Sequence, residues 1–352
     1  MSSPARLTMF VRVRSAKAMS AKYPVDEVVP TSVPNSLQSR VPPAAAGRQL
    51  VDWLAERFRY FDAAGWSAQV TAGRVHRNGT PAVADDLLQA GDLVAFHPAP
   101  VAASPRVPIP ILHDDADLLA IDKPAHLVAH ADGAFAQNTF LHQLAHARGT
   151  DPSQLAFVHR LDRETSGVLL LARHADATRH LQRQFTAGTV QKDYLAIVHG
   201  RVGDASFVID APIGPASNSV VAARRAVCAA GVHGARDAVT EVAVKSYFAE
   251  HTLLRVWPRT GRTHQIRVHL AWLGHPIVGD KLYGQSDARY LEYVQHLKAG
   301  GDPAWPGQLP TGRQMLHAIE LRCVHPRDET PLWLLAPVPD DMQSYLASLP
   351  AG

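Results

Sequence analysis

The feature that most constrains how this chain folds is a series of short apolar runs. They are LLAIDK at 118–123, GVLLLAR at 167–173, YLAIVHG at 194–200, TEVAVKSYF at 240–248, HTLLRVWP at 251–258 and LWLLAP at 332–337. Each is the length of a strand, rich in β-branched and leucine side chains, and bounded by polar or turn residues. Helical spacing occurs between them, near 138–148, 174–187 and 263–273. The order is not a regular βαβ alternation and shows no internal repeat, so the expected class is α+β, a mixed sheet with peripheral helices.

Upstream lies a separate unit. Residues 1–46 carry Pro, Ser and Ala with little periodicity and read as a flexible leader. Leu50, Trp53, Leu54 and Phe58 then form the stripe of a short helix, and a second segment carries Trp66 and Val70. AGRVHRNGTPA follows, with the hairpin signal Asn78-Gly79, and then a Gly91-Asp92 turn into LVAFH. This order resembles the S4-type RNA-binding module over residues 47–98, a small α/β domain. The resemblance makes Arg74 and Arg77 candidate RNA contacts. Residues 99–110, with Pro100, Pro105, Pro108 and Pro110, are expected to be a stiff linker. The catalytic domain is expected over 111–340, with a C-terminal tail at 341–352.

Lys and Arg total 35 against 32 acidic residues, a formal charge of +3, so any nucleic-acid site must be a local basic patch. The only cysteines, Cys228 and Cys323, are too far apart for a CxxC zinc cluster and suggest no disulfide framework. A reducing, cytoplasmic setting fits. No run approaches the ~18 apolar residues of a membrane span, and no secretion signal is evident.

Asp162 lies in HRLDRETSG (159–167), between Leu161 and the polar turn Arg163-Glu164-Thr165-Ser166-Gly167 that leads into an apolar strand. A carboxylate on a loop anchored by a buried strand suits a nucleophile or general base. Read alone, it serves equally as a turn former or as an ion-pair partner of Arg160 or Arg163. The second segment is RTGRTHQIRVHLAWLGHPIVGDKLYG (259–284), where Arg259, Arg262, His264, Gln265 and Arg267 crowd a loop and a helix start. Helix starts and arginine forks favour anions, so a phosphate or carboxylate is the expected ligand, the alternative being an ordinary solvated basic face. Ile266, Leu270 and Leu273 are expected to form that helix's buried face. A third piece, VQKDYLAIVHG (190–200), places Tyr194 at the head of an alternating strand, where it is either core or a stacking platform for a base.

Together with IDKPAHLVAH (121–130) and LHAIELRCVHP (316–326), these motifs occur in the order and rough spacing of the RluA-type pseudouridine synthases, which the chain resembles over about 107–340. The resemblance implies a largely antiparallel sheet and an isomerase converting uridine to pseudouridine in structured rRNA or tRNA. Asp162 matches the catalytic aspartate, Arg160 an arginine that helps displace the target base, Tyr194 the tyrosine packing on the uracil, and Arg267 the arginine paired with the carboxylate. Attack on C1′, addition to C6 and removal of a C2′ proton all stay open as the role of Asp162. The family commonly has glycine near the position of His126, so that turn is expected to differ. The Pro- and Gly-rich segment 285–313 is expected to be a variable surface loop. No membrane or DNA partner is expected.

Two other classes compete. A catalytically silent RNA chaperone or ribosome-assembly factor needs contacts and no nucleophile. A metal-dependent hydrolase would use His142 and His146 at helical i, i+4 spacing, or His264 and His269, but no HExxH pattern completes either pair. No GxxxxGK[ST] or GxGxxG loop is present, and the expectation is that no metal or cofactor takes part.

Overall fold

The structure is a computed structural model, and it describes residues 37–58, 61–97, 109–127, 144, 154–229, 231–298 and 301–352. In the N-terminal part, β1 (Leu37–Arg40) pairs antiparallel with β4 (Leu93–Phe96). β4 pairs with β2 (Val75–Arg77), and β2 with β3 (Thr80–Pro81). Two helices, α1 (Leu50–Arg57) and α2 (Ala63–Thr71), close a core of Leu50, Trp53, Leu54, Trp66, Val70, Val75 and Phe96. Asp62 starts α2 by accepting from the Gly65 N–H at 2.8 Å. Asn78 and Gly79 both take positive φ, 51° and 87°, as the tight β2–β3 turn requires.

The expected leader was drawn too long. Leu37–Arg40 is a strand of this unit, and Val41 and Ala45 are buried in its core. Four residues are too few to show a period, and the partner of β1 is a strand at the far end of the unit. Most of the expected linker lies outside the described residues. At its end Ile109 already packs on the main hydrophobic core, and the Pro110 carbonyl accepts from Asp122 N–H at 2.9 Å.

The larger part, from residue 109 onward, is built on a ten-stranded sheet. Its strands are β5 (Ile111–Asp114), β6 (Leu118–Lys123), β7 (Ala156–Phe157), β8 (Ser166–Ala172), β9 (Gln191–His199), β10 (Ser206–Asp210), β13 (Val239–Tyr247), β14 (His251–Pro258), β15 (Leu316–Val324) and β16 (Pro331–Leu335). A separate hairpin pairs β11 (Ile213–Pro215) with β12 (Arg225–Val227). The main order is β10-β13-β14-β9-β15-β8-β6-β5, with β16 on β15 and β7 on β8. Every pairing is antiparallel except β15 with β8.

The uninterrupted apolar runs have a simple cause: the sheet is covered on both faces. Leu119, Ile121, Leu169 and Leu171 point into one core, and the alternate residues Leu118, Ala120, Val168, Leu170 and Ala172 into another. Helix α3 (Ala175–Ala187) covers the second face through Ala177 and Leu181 and ends at Gly188 with φ 70°. Helix α4 (Gln265–Trp272) is buried nearly all round, so its polar residues are inside too. Leu273, expected on its buried face, lies just beyond it and is 39% exposed.

Two further expectations are corrected. The segment 285–313 contains α5 (Asp287–Lys298), and its Tyr293 and Trp305 are buried against each other with ring centroids 5.2 Å apart. The C-terminal tail is largely helix α6 (Asp340–Ser348), whose Met342 is buried in the main core. The expected helix near 138–148 lies outside the described residues apart from Leu144, which is buried in that core.

Candidate active site

The loop from β7 to β8 carries Arg160, Asp162, Arg163 and Glu164, and the surrounding structure straps down its backbone. Thr165 N–H donates to the Asp162 carbonyl at 3.1 Å, closing a tight turn. The Lys123 ammonium is fully buried and spends its three donors on the carbonyls of Pro124, Leu127 and Arg163, at 2.8, 3.1 and 3.0 Å. Burial, with Arg313 nearby, pushes this amine down to about 7. Glu164 accepts from Lys281 at 2.7 Å and from Gln314 N–H at 3.3 Å. Its carbonyl accepts from Arg313, which Asp341 of α6 grips with both oxygens. Just past the loop, Gly167 sits at φ 111°, and a Cβ there would lie 2.1 Å from the Ala318 carbonyl oxygen. Only glycine fits where β8 crosses β15 so closely.

On this strapped loop the Asp162 side chain stays part-exposed, at 21%. Arg267 reaches it from α4, with Nη1 donating to Oδ2 at 2.8 Å. The opposite edge of the same guanidinium is locked by Asp280, with Nε to Oδ2 at 2.7 Å and Nη2 to Oδ1 at 2.9 Å. Asp280 is itself fixed by the N–H groups of Leu282 and Tyr283. The Tyr283 ring lies 5.0 Å from the Arg267 carbon centre. Burial disfavours the Arg267 charge, but Asp280 and Asp162 outweigh it and raise its pKa further.

Burial likewise pushes the Asp162 carboxyl up, but the cationic groups beside it and the Arg267 hydrogen bond win, leaving it below the usual carboxylate range. His264 Nε2 stands 4.0 Å from Asp162 Oδ1. Burial and Arg267 push His264 down to about 4, so near neutral pH it is uncharged, and Arg267 and Arg160 are the cations that act on the carboxylate. His264 adopts φ 58° at the start of α4, and its Nδ1 shares a 2.9 Å hydrogen bond with the Tyr283 hydroxyl.

Tyr194 opens onto this region from β9 and is 9% exposed. Burial, then the Asp162 charge, raises its phenol, so it stays protonated. Arg160 is exposed on the loop, and its charge contributes to holding the Asp162 carboxyl down.

The expected RNA-contact residues separate into different settings. Arg259 is half exposed and forms a two-point pair with Glu241, at 2.7 and 2.6 Å. Arg262 donates to the Asp237 carbonyl at 2.8 Å. Gln265 is buried, 4% exposed, with its NH₂ donating to Val239 O and Thr240 Oγ1 and its carbonyl accepting from Thr260 and Arg262 N–H. Its amide knits the 259–265 loop to β13. Arg74 donates to Gln69 at 3.0 Å and Arg77 to Asp92 at 2.6 Å, both within the N-terminal unit.

The family profile described as RNA pseudouridylate synthase matches residues 117–272. Ribosomal large subunit pseudouridine synthase D of Xanthomonas campestris is 35% identical, over 89% of this chain and 92% of the relative. Ribosomal large subunit pseudouridine synthase C of Vibrio cholerae is 30% identical, over 86% and 94%. The chain belongs to the RNA pseudouridine synthase family. The synthase also resembles the solved human RNA pseudouridylate synthase domain containing 1, with a TM-score of 0.54, 26% identity, and coverage of 72% of this chain and 92% of that one. It is thus an isomerase that converts uridine to pseudouridine in RNA.

The residues around Asp162 that single-residue reading missed are Glu164, Asp280, Lys281, Tyr283 and Arg313. Asp280, Lys281 and Tyr283 stand in GDKLYG, and the signal was a buried arginine needing a second acid. Of the alternative metal pairs, His142 and His146 lie outside the described residues. His264 and His269 do not act together: both His269 ring nitrogens are engaged, with Thr240 and with the Ala211 carbonyl at 2.9 Å each. His126 keeps the turn that glycine would favour, at φ 66°.

Proposed function

We propose that Asp162 is the catalytic carboxylate of this synthase and that its substrate is large-subunit ribosomal RNA, modified in the cytoplasm. The observation that carries the first part is an ionised, part-exposed carboxylate held at one oxygen by an arginine that Asp280 has already oriented. The target uridine is flipped from its helix, because C1′ and C5 are out of reach while the base is stacked. In the pocket the uracil packs on Tyr194, with Arg160 helping to hold the opened RNA. The N1–C1′ bond breaks, the base turns, and a C5–C1′ bond forms; the C5 proton leaves to solvent and N1 gains one. Asp162 serves this exchange as nucleophile at C1′ or C6 or as base at C2′. Arg267 keeps it ionised and aimed without supplying a proton.

The rRNA assignment is supported by the names of the relatives, which act on the large subunit. The unit at 37–97, with Arg74 and Arg77 beside its hairpin, is proposed as an S4-like RNA-binding module, and Arg259 and Arg262 as contacts nearer the cleft. Tritium release from [5-³H]uridine-labelled large-subunit rRNA tests the whole reading. The expected outcome is release by the wild type and none by Asp162→Asn, with RNA affinity kept. Substantial turnover by Asp162→Asn would remove the nucleophile or base role, and release from tRNA but not rRNA would remove the substrate assignment. RNA binding without any release by the wild type would favour the chaperone reading.

A further inference from the structure

At the end of the sheet away from Asp162, two turns meet. The end of β5 supplies His113, the β5–β6 turn supplies Asp115, and the β15–β16 turn supplies His325. Their ligand atoms all lie within 4.8 Å of one another. His113 Nε2 is 2.5 Å and His325 Nε2 3.0 Å from the same oxygen, Asp115 Oδ2. The β6 strand separates this group from the loop of Asp162. Leu118 is at the near end and Lys123, bonded to the Arg163 carbonyl, is at the far end, roughly 17 Å away at ~3.3 Å per residue.

The arrangement has the parts of a metal centre. The other Asp115 oxygen, Oδ1, accepts from Asp117 and Leu118 N–H at 2.8 Å each, which leaves Oδ2 turned toward the two rings. Behind His325, its Nδ1 lies 3.1 Å from Asp328 Oδ1 and accepts from Arg327 N–H at 3.3 Å; with a metal at Nε2 the Nδ1 proton would turn to Asp328, the carboxylate–histidine relation of metal-binding imidazoles. Asp328 is itself held by Thr330. An irregularity in the β5 pairing between Ile111 and His113 re-aims the His113 side chain. His325 is nearly buried, whereas His113 and Asp115 are about 30% exposed, so a water can complete four ligands. Nearby cations are already engaged, Arg327 by Asp117 and Arg173 by Asp114.

We infer that His113, Asp115 and His325 bind a divalent transition-metal ion, Zn²⁺ being the best fit to two imidazoles and one carboxylate. The ion would staple the β5–β6 turn to the β15–β16 turn and would take no part in the isomerisation. Tetrahedral bonds of ~2.0–2.2 Å place ligand atoms about 3.3 Å apart, so the site needs only a small opening of the present contacts.

The test uses the full-length protein stripped with chelator and titrated with Co²⁺, read by visible absorption and then displaced by Zn²⁺. The expected result is one equivalent giving a four- or five-coordinate cobalt spectrum. His325→Ala abolishes that spectrum, and Asp328→Asn weakens binding by about 10–100-fold. The His142→Ala/His146→Ala double variant, which removes a histidine pair at i, i+4 spacing, leaves the spectrum unchanged. Absence of the spectrum, its persistence in His325→Ala, or its loss in the double variant would overturn the inference. In the first case the three side chains are a hydrogen-bonded clamp only. Asp328→Asn keeps the test valid should His325→Ala fail to fold.

Discussion

In the N-terminal unit, Asp92 accepts from Gln89 N–H and Asn78 and holds Arg77 at 2.6 Å. In the catalytic domain, Asp280 accepts from Leu282 and Tyr283 N–H and holds Arg267 at 2.7 and 2.9 Å. Both aspartates fix a turn and an arginine together. They differ in what the arginine does next. Arg77 Nη1 is 4.0 Å from Asp86, a loose contact at a part-exposed surface. Arg267 Nη1 is 2.8 Å from Asp162, inside a buried network. The same clamp holds a turn in one unit and, in the other, sets the charge and direction of the carboxylate proposed to react.

The largest expected effect separates the two clamps. Asp280→Ala leaves a buried guanidinium with one partner, a change costing on the order of 3–5 kcal/mol, and urea melts should show it together with near-complete loss of tritium release. Wild-type turnover in that variant would break the comparison. Next is Arg267→Lys, which keeps a charge but cannot span both carboxylates. Single-turnover rates should fall about 10²-fold, the scale for removing one oriented donor.

The pH dependence sharpens the same point. Because the folded Asp162 carboxyl lies below its unfolded value of ~3.9, its contribution to stability is fully present above that value and disappears as pH falls through the lowered folded one. The acid limb of the wild-type single-turnover profile assigned to Asp162 should therefore lie below the ordinary carboxylate range and move upward in Arg267→Lys. An unmoved limb would show that Arg267 does not set this charge.

A smaller effect is expected at Tyr194. Tyr194→Ala should weaken substrate binding by the ~1–3 kcal/mol of a base–aromatic stack, whereas Tyr194→Phe should keep most of it. Equal loss in both variants would assign the role to the hydroxyl. Smallest for chemistry is Asp92→Ala. It should lower amide protection across 37–97 by ~1–3 kcal/mol, yet leave the single-turnover rate at saturating RNA unchanged. A slowed chemical step would tie the N-terminal clamp to the reaction after all.

Strands such as HTLLRVWP were legible because their composition and bounds are local, and the observed β14 spans the same eight residues, His251–Pro258. Helix α3 was legible for the same reason, running from its His174 cap to Gly188. β1 and α6 were not, since each is decided by a distant partner: β4 for the first, and for the second the main core and Arg313. The burial of Gln265 was hidden too, because an amide at a basic loop looks like a ligand contact until its bonds to β13 are seen.

By itself the sequence determined the class of fold and the positions of most elements and, through ordered motifs, pointed to the Asp162, Tyr194 and Arg267 set. Only the tertiary structure decided which charges meet. Arg267 and Asp162 are 105 residues apart in the chain, and Lys281 and Glu164 are 117. Periodicity reports which face of an element is apolar, but pairing of buried charges depends on distances of about 3 Å across elements, and those are set by packing alone.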